Sequence, residues 1–273
     1  MKRFSIGAAE VGGPRLLVIA GPCVAESAEL CLEVAGHLKA VCAARDLPFV
    51  FKVSYRKANR SSGRSFAGLP MDEALGVLAR VRREIGVPVL TDVHEVNEVA
   101  AAAEVADALQ IPAFLCRQTA LLEAAARTGR PVNVKKGQFL APEDMALAVE
   151  KLTRAGGERI LLTERGTTFG YHDLVVDMRS LVTMRECGWP VLYDATHSLQ
   201  RPRGPETSGD RRFAFPLMRA AVACGVDGLF FETHPDPAKA LSDAATQLPL
   251  EQVEAFLDDA VRTRQAVTER THA

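Results

Sequence analysis

Short apolar runs recur along the chain, and each is followed by polar residues and then by a stretch with helical spacing. Leu16-Leu17-Val18-Ile19-Ala20 is the first run, and it stops at Gly21-Pro22-Cys23. Ser27 stands where an N-cap belongs, and Leu30, Val34, Leu38 and Val41 fall on one face of a helix over 27–44. The same alternation predicts strands at 48–53, 87–93, 108–111, 132–136, 159–163, 191–194 and 228–232. Between them it predicts helices at 71–85, 95–105, 119–128, 142–154 and 174–186, a long polar loop at 198–210 leading into a helix that ends near 223, and a last helix at 250–267. Gly129 marks one helix end and Pro142 one helix start. Gly12-Gly13-Pro14 predicts a small hairpin ahead of the first strand.

Strand and helix alternate about eight times over roughly 250 residues, the count and size of a TIM barrel. A doubly wound open sheet is the competitor. Its glycine-rich dinucleotide turn is missing after the first strand, where Gly21-Pro22-Cys23 stands instead. No linker, solenoid repeat or low-complexity tract divides the sequence, so one domain spanning 1–273 is expected, with 1–15 as an N-terminal extension.

Composition changes this picture little. Of 273 residues, 48% are hydrophobic and 25% charged, which is ordinary for a soluble globular protein and supplies a large core. The net charge of −1 excludes a global basic field for nucleic acid, so any anion site must come from local clustering. The N-terminus lacks a signal-peptide apolar core, and no apolar run approaches the ~20 residues of a membrane span. A cytoplasmic protein is expected. The six cysteines are dispersed, without a CxxC pair, and should be reduced.

Candidate chemistry collects at the strand ends, where a barrel of this kind builds its site. In order these positions give Cys23; Lys52, Lys57 and Arg60, with Asn59, Ser61 and Ser62 among them; Asp92 and His94; Gln110 and Arg117; Lys135 and Lys136; Arg165; Asp194 and His197; Glu232 and His234. The cations follow strands two, four, five and six, as suits phosphate and carboxylate groups. Cys23, His197 and Glu232 follow strands one, seven and eight, which closure makes neighbours. Thiolate, imidazole and carboxylate together form a ligand set for a divalent transition metal, with Asp243 as a fourth member. A buried cysteine beside a hydrogen-bonded histidine and glutamate is the alternative, and spacing leaves both open. Lys135 or Lys52 as a Schiff-base lysine is a further alternative, disfavoured by the concentration of neighbouring cations. His94 and His234 suit either helix caps or acid–base groups.

The motifs AGPCVAES (20–27), FKVSYRKANRSS (51–62), TDVHE (91–95), LQIPAFLCRQT (109–119), VNVKKGQF (132–139), RGTTFGYHDLVVDMR (165–179), DATHSLQ (194–200) and ETHPDPAKALSDAATQLPL (232–250) closely resemble the 3-deoxy-D-manno-octulosonate 8-phosphate synthase family. The resemblance covers nearly the whole chain from Leu16. The related seven-carbon synthase, which uses erythrose 4-phosphate, carries a KPRT-like segment where this chain has Lys57-Ala58-Asn59-Arg60-Ser61-Ser62.

The resemblance implies condensation of phosphoenolpyruvate with D-arabinose 5-phosphate and water, on the route to bacterial lipopolysaccharide. It implies the metal-dependent branch, because metal-free members carry Asn at the position of Cys23. The implied ligands are Cys23, His197, Glu232 and Asp243, for a divalent ion such as Zn, Fe, Mn, Co or Cd. By the same matching Lys52, Lys57, Gln110, Lys135 and Arg165 hold phosphoenolpyruvate, and Asn59, Arg60 and Ser61 contact arabinose 5-phosphate. Arg117 reaches the sugar phosphate of a neighbouring subunit, in a homotetramer. Asp92 and His197 are the candidates for proton handling. Two departures stand out: Phe66-Ala67-Gly68 replaces the family's Phe-Arg-Gly, and Ser208-Gly209-Asp210 replaces its Ser-Gly-Gly. A sugar-phosphate-binding barrel without catalysis is the rival of a different class.

Overall fold

The structure is a computed structural model that describes residues 1–58, 66, 68–203 and 206–271, with the backbone alone at 202, 203, 206, 207, 270 and 271. Among the described residues, eight parallel strands form a closed cylinder: β1 (Leu17–Gly21), β2 (Phe49–Lys52), β3 (Val89–Asp92), β4 (Ala108–Ile111), β5 (Val132–Lys135), β6 (Ile160–Glu164), β7 (Val191–Asp194) and β8 (Gly228–His234). Each pairs with the next, and β8 pairs back to β1 through Leu229 and Val18. The helices between and after them are α1 (Ala28–Ala43), α2 (Met71–Ile85), α3 (Val99–Val105), α4 (Thr119–Arg127), α5 (Met145–Arg154), α6 (Arg179–Arg185), α7 (Ala214–Ala223) and α8 (Val253–Thr271). This is the expected TIM barrel. None of its helices is long and apolar enough to cross a membrane.

Strand periodicity decides which residues serve the core and which serve the mouth. Along β8, Phe231 turns outward and meets Phe256 of α8 at 5.3 Å between ring centroids, while Phe230 turns inward. Glu232 is the next inward residue, at the C-terminal rim. The lower interior is apolar: Leu17, Ile19, Val50, Leu90, Leu161, Leu192 and Phe230 form one buried cluster. Against it packs the antiparallel hairpin Phe4–Ile6 and Ala9–Val11, whose Ile6 and Val11 are fully buried. The expected N-terminal hairpin, which turns at Gly7-Ala8 and ends ahead of Gly12-Gly13-Pro14, is therefore the floor of the barrel. Truncating Ile6 to alanine should cost about 3 kcal/mol through lost transfer energy and a residual cavity. A urea midpoint that falls with an unchanged slope would register it; an unmoved midpoint would mean the hairpin is not part of the folded core.

Above the floor lies a polar layer. Asn133 Nδ2 donates to Gln110 Oε1 at 2.9 Å, and Thr163 Oγ1 donates to Asn133 Oδ1 at 2.7 Å. The chain crosses from apolar floor to charged mouth through neutral groups that satisfy one another.

The rim departs from expectation in several places. The helix predicted over 174–186 is confined to Arg179–Arg185; Leu174–Val175 instead forms a hairpin with Thr167–Thr168. Val175 and Val176 favour extended backbone, and Asp177 accepts the Arg179 N–H at 3.0 Å, starting the helix later. The polar loop expected at 198–210 contains a second hairpin, Gln200–Arg203 with Glu206–Gly209. The helices expected from 95 and 250 begin with 3-10 turns, Val96–Glu98 and Leu250–Gln252, and become α-helical at Val99 and Val253.

Candidate active site

At the mouth, three buried carboxylates interlock with buried cations. Lys52, the last residue of β2, places Nζ 3.2 Å from Glu232 Oε1 and 3.8 Å from Asp92 Oδ1, and donates to Ser54 Oγ at 2.9 Å. Lys57 donates to the same hydroxyl at 2.9 Å and stands 3.6 Å from Glu232 Oε1. Ser54 Oγ in turn donates a hydrogen bond to Asp92 Oδ1 at 2.6 Å. Lys135 pairs with Asp194 and lies 3.2 Å from the centroid of the Phe230 ring, so the top of the apolar interior is also the seat of a cation.

Burial opposes the charge on Glu232, Asp92, Lys57 and Lys135, and the balance with charged neighbours differs from one to the next. Glu232 is held well below the usual carboxylate range, against its burial, by Lys57, His197, Lys52 and Lys135. Asp92 is held well down against the same penalty by Lys52, a bond from His94, and Lys57. Lys57 is raised despite burial, by Cys23, Glu232, Asp92 and Asp243. Lys135 goes the other way: burial outweighs Asp194, Lys52 repels it, and its ammonium falls to about 8.

The flank formed by β1 and β8 carries the candidate metal ligands. Gly21 is needed just before them, since a Cβ there would sit 2.1 Å from the carbonyl oxygen of Lys52. Cys23 is fully buried, with Sγ 2.9 Å from Ser242 Oγ and 3.1 Å from Asp243 Oδ2. Burial, the nearby Glu232 and Asp243 push its thiol well up against the pull of Lys57 and Lys52. Ligand atoms of Cys23, Glu232 and Asp243 all lie within 4.8 Å of one another. Asp243 holds φ at +48°, a left-handed conformation costing roughly 1–2 kcal/mol. Its carbonyl accepts from Thr246 N at 3.0 Å and Gln247 N at 3.1 Å, which keeps the turn in place.

His197 lies outside that trio but touches it, with Nε2 3.7 Å from Glu232 Oε1. Its Nδ1 is bonded to Asp194 Oδ2 at 2.8 Å, and Asp194 Oδ1 accepts the backbone N–H groups of Thr196 and His197. Glu232 Oε2 is buried with no hydrogen-bond partner among the described residues. A soft-ligand pocket with an unsatisfied carboxylate oxygen fits a divalent transition metal.

Across the mouth, Arg165 is buried; its Nη2 donates to Gln200 Oε1 at 2.6 Å, and Gln200 Nε2 donates to Asp243 Oδ1 at 2.8 Å. Its Nη1 has no partner among the described residues, an unspent donor suited to an anion. Gln110 is bonded to Asn133 just below. Arg117 stands apart, exposed at the rim, beside a groove of about 490 Å³ between α4 and α5. Asn59, Arg60, Ser61, Ser62 and Ala67 lie outside the described residues.

His94 pairs through Nε2 with Asp92 Oδ2 at 3.2 Å and through Nδ1 with Tyr55 OH at 3.3 Å. His234 Nδ1 accepts the Asp236 N–H at 3.0 Å, so it serves a turn. Sequence reasoning missed Ser54, Gln200, Ser242 and Phe230. Ser54 follows Lys52 by the inward period of two, which was the available signal; Ser242 and Gln200 are placed only by loop tertiary structure.

The chain matches the model of the DAHP synthetase I family over residues 5–269. The chain belongs to that family. Within this DAHP synthetase I chain's kin, a 2-dehydro-3-deoxyphosphooctonate aldolase of Trichlorobacter lovleyi is 54% identical over 259 residues, covering 94% of this chain and 95% of that protein. One of an Azoarcus species is 54% identical over 259 residues, covering 91% and 93%. One of Acidithiobacillus ferrooxidans is 56% identical over 242 residues, covering 88% and 86%.

Proposed function

We propose that this DAHP synthetase I family member condenses phosphoenolpyruvate with D-arabinose 5-phosphate and water, giving 3-deoxy-D-manno-octulosonate 8-phosphate and inorganic phosphate, for lipopolysaccharide synthesis in the cytoplasm. The observation that carries this is three buried cations, Lys52, Lys135 and Arg165, with the part-buried Lys57 beside them at one barrel mouth, in a chain 54% identical over 259 residues to a 2-dehydro-3-deoxyphosphooctonate aldolase. Carbon three of the enol phosphate attacks the aldehyde carbon, whose oxygen takes up a proton. Water adds to carbon two and gives up one proton; the bond from carbon two to the phosphate oxygen then breaks as the added hydroxyl becomes the carbonyl, and its remaining proton leaves with the phosphate.

In this reading Lys52, Lys57, Gln110, Lys135 and Arg165 bind the carboxylate and phosphate of the enol substrate. Their preorganised charge stabilises the anion without reorganisation. Asn59, Arg60 and Ser61 take the aldose, and Asp92 takes the proton of the attacking water. Cys23, Glu232, Asp243 and His197 hold a divalent ion, supported by the trio within 4.8 Å and by the unpartnered Glu232 oxygen. The bond from His197 Nδ1 to Asp194 leaves Nε2 as the lone-pair nitrogen, the arrangement of a carboxylate-oriented ligand. Such an ion, when bound, supplies Lewis acidity and a template. His197 handles no proton while it is a ligand. Arg117 reaches the site of a neighbour in a homotetramer, a reading supported by the exposed Phe114 and Phe139 on adjacent rim loops.

The seven-carbon synthase is the second reading, favoured by the family's description. Phosphate release should require phosphoenolpyruvate and arabinose 5-phosphate together, and fall on chelation. Faster turnover with erythrose 4-phosphate would replace the first reading by the second, and no turnover with either aldose would sink both. Elemental analysis should find about one divalent ion per chain, and much less in Cys23→Asn. Unchanged metal content in that variant removes Cys23 from the ligands.

A further inference from the structure

Immediately beside the two cations that frame the mouth on β5 and β6 sits a second pair that never reaches it. Lys136 follows Lys135, and Glu164 precedes Arg165. Strand alternation turns Lys136 away from the barrel axis, and the side chains of both residues are essentially inaccessible, at 0% and 1% exposure. Lys136 Nζ lies 3.6 Å from Glu164 Oε1 and donates to Gly137 O and Leu140 O at 3.3 Å and to Thr167 Oγ1 at 3.0 Å. Glu164 Oε1 accepts the Gly166 N–H at 2.6 Å. The backbone adds Lys136 N to Thr163 O at 2.8 Å and Thr168 N to Gln138 O at 2.9 Å.

These bonds stitch the first residues beyond β5 to the first residues beyond β6. Stability does not account for them. Burial pulls the Lys136 ammonium down and pushes the Glu164 carboxyl up, so the site penalises both charges. Replacing a buried ion pair by neutral groups of similar volume is often neutral or stabilising. What the pair supplies is direction. It anchors loop backbone on both sides of the strand ends, from which Lys135 and Arg165 project into the mouth.

We infer that the Lys136–Glu164 pair is a positioning device that sets the separation of Lys135 and Arg165, and through it the affinity for the phosphate and carboxylate of the enol substrate. This rests on the mouth being a phosphoenolpyruvate site. Neither side chain touches substrate.

The test is the double variant Lys136→Met/Glu164→Gln, in which the glutamine keeps an acceptor for Gly166. Its melting temperature should stay within a few degrees of the parent. The KM for phosphoenolpyruvate, and its Kd by calorimetry without aldose, should rise tenfold or more, while the KM for arabinose 5-phosphate stays within twofold. A purely structural role would move the melting temperature and leave that split absent. Thr167→Val removes one bond from a half-buried position and should raise the phosphoenolpyruvate KM two- to fivefold. An unchanged phosphoenolpyruvate Kd and KM in the double variant overturns the inference, as does an unchanged KM in Thr167→Val should the double variant fail to fold. Parent protein that binds no phosphoenolpyruvate sinks the proposed function instead.

Discussion

Lys135→Met should lower kcat/KM for phosphoenolpyruvate by about 10³-fold, the scale of losing one preorganised charge from a water-excluded site. Methionine keeps the length of the side chain and its contact with the Phe230 ring and removes only the ammonium. The effect carries a pH signature. Burial, opposed by Asp194 and reinforced by Lys52, draws Lys135 from 10.5 to about 8 in the free protein. Above pH 8 the amine is neutral, and an incoming anion favours the charged form, so binding takes up a proton. Affinity for phosphoenolpyruvate should therefore fall as pH climbs past 8, and Lys135→Met should lack that limb.

The stability sign runs opposite to the usual lysine pair. The folded value lies below the unfolded one, so between about 8 and 10.5 the unfolded chain binds more protons and this group makes stability rise with pH. Kinetics from pH 6 to 10, with calorimetry in buffers of different ionisation enthalpy, check both statements. A variant whose profile above pH 8 runs parallel to the parent's would assign the limb to another group.

The barrel was legible because its strands are buried on both sides and read as largely apolar runs, from Leu17–Gly21 to Gly228–His234. The residues at the mouth were legible for a related reason: Lys52, Asp92, Lys135, Asp194 and Glu232 are polar groups at the end of such runs, on the inward period. The rim was harder. Leu174–Val175 shares helical spacing with residues 178–185, and only Asp177 capping Arg179 shows where the helix begins. Cys23 and Asp243 are 220 residues apart, and only closure of β8 onto β1 brings them together. Ser242 and Gln200, which orient them, carry no pattern at all, because loop residues are placed by tertiary contacts rather than by period.

Asp194→Ala should cost about 3–5 kcal/mol in folding free energy, since it leaves a buried ammonium without its counter-charge. Asp194 is fully buried and satisfies four donors: Lys135 Nζ, His197 Nδ1 at 2.8 Å, and the N–H groups of Thr196 and His197 at 3.0 and 2.9 Å. Asp194→Asn keeps an acceptor for the turn and should lose about 1.5–3 kcal/mol, the range for a bond to a charged group. His197 and Lys135 hold this carboxyl well below its ordinary 3.8 against burial. Its contribution is therefore present above pH 3.8 and lost as pH falls toward the folded value, a loss that Asp194→Asn should not show. Urea unfolding at pH 7 and at pH 3 reads both, and an Asp194→Ala stability within about 1 kcal/mol of the parent, on the order of a single neutral hydrogen bond, would mean Lys135 finds another counter-ion or sheds its proton. The two largest effects are coupled through one contact. Once Lys135 is methionine no buried charge is left stranded, so Lys135→Met/Asp194→Asn should be more stable than Asp194→Asn alone, while its turnover stays as low as that of Lys135→Met.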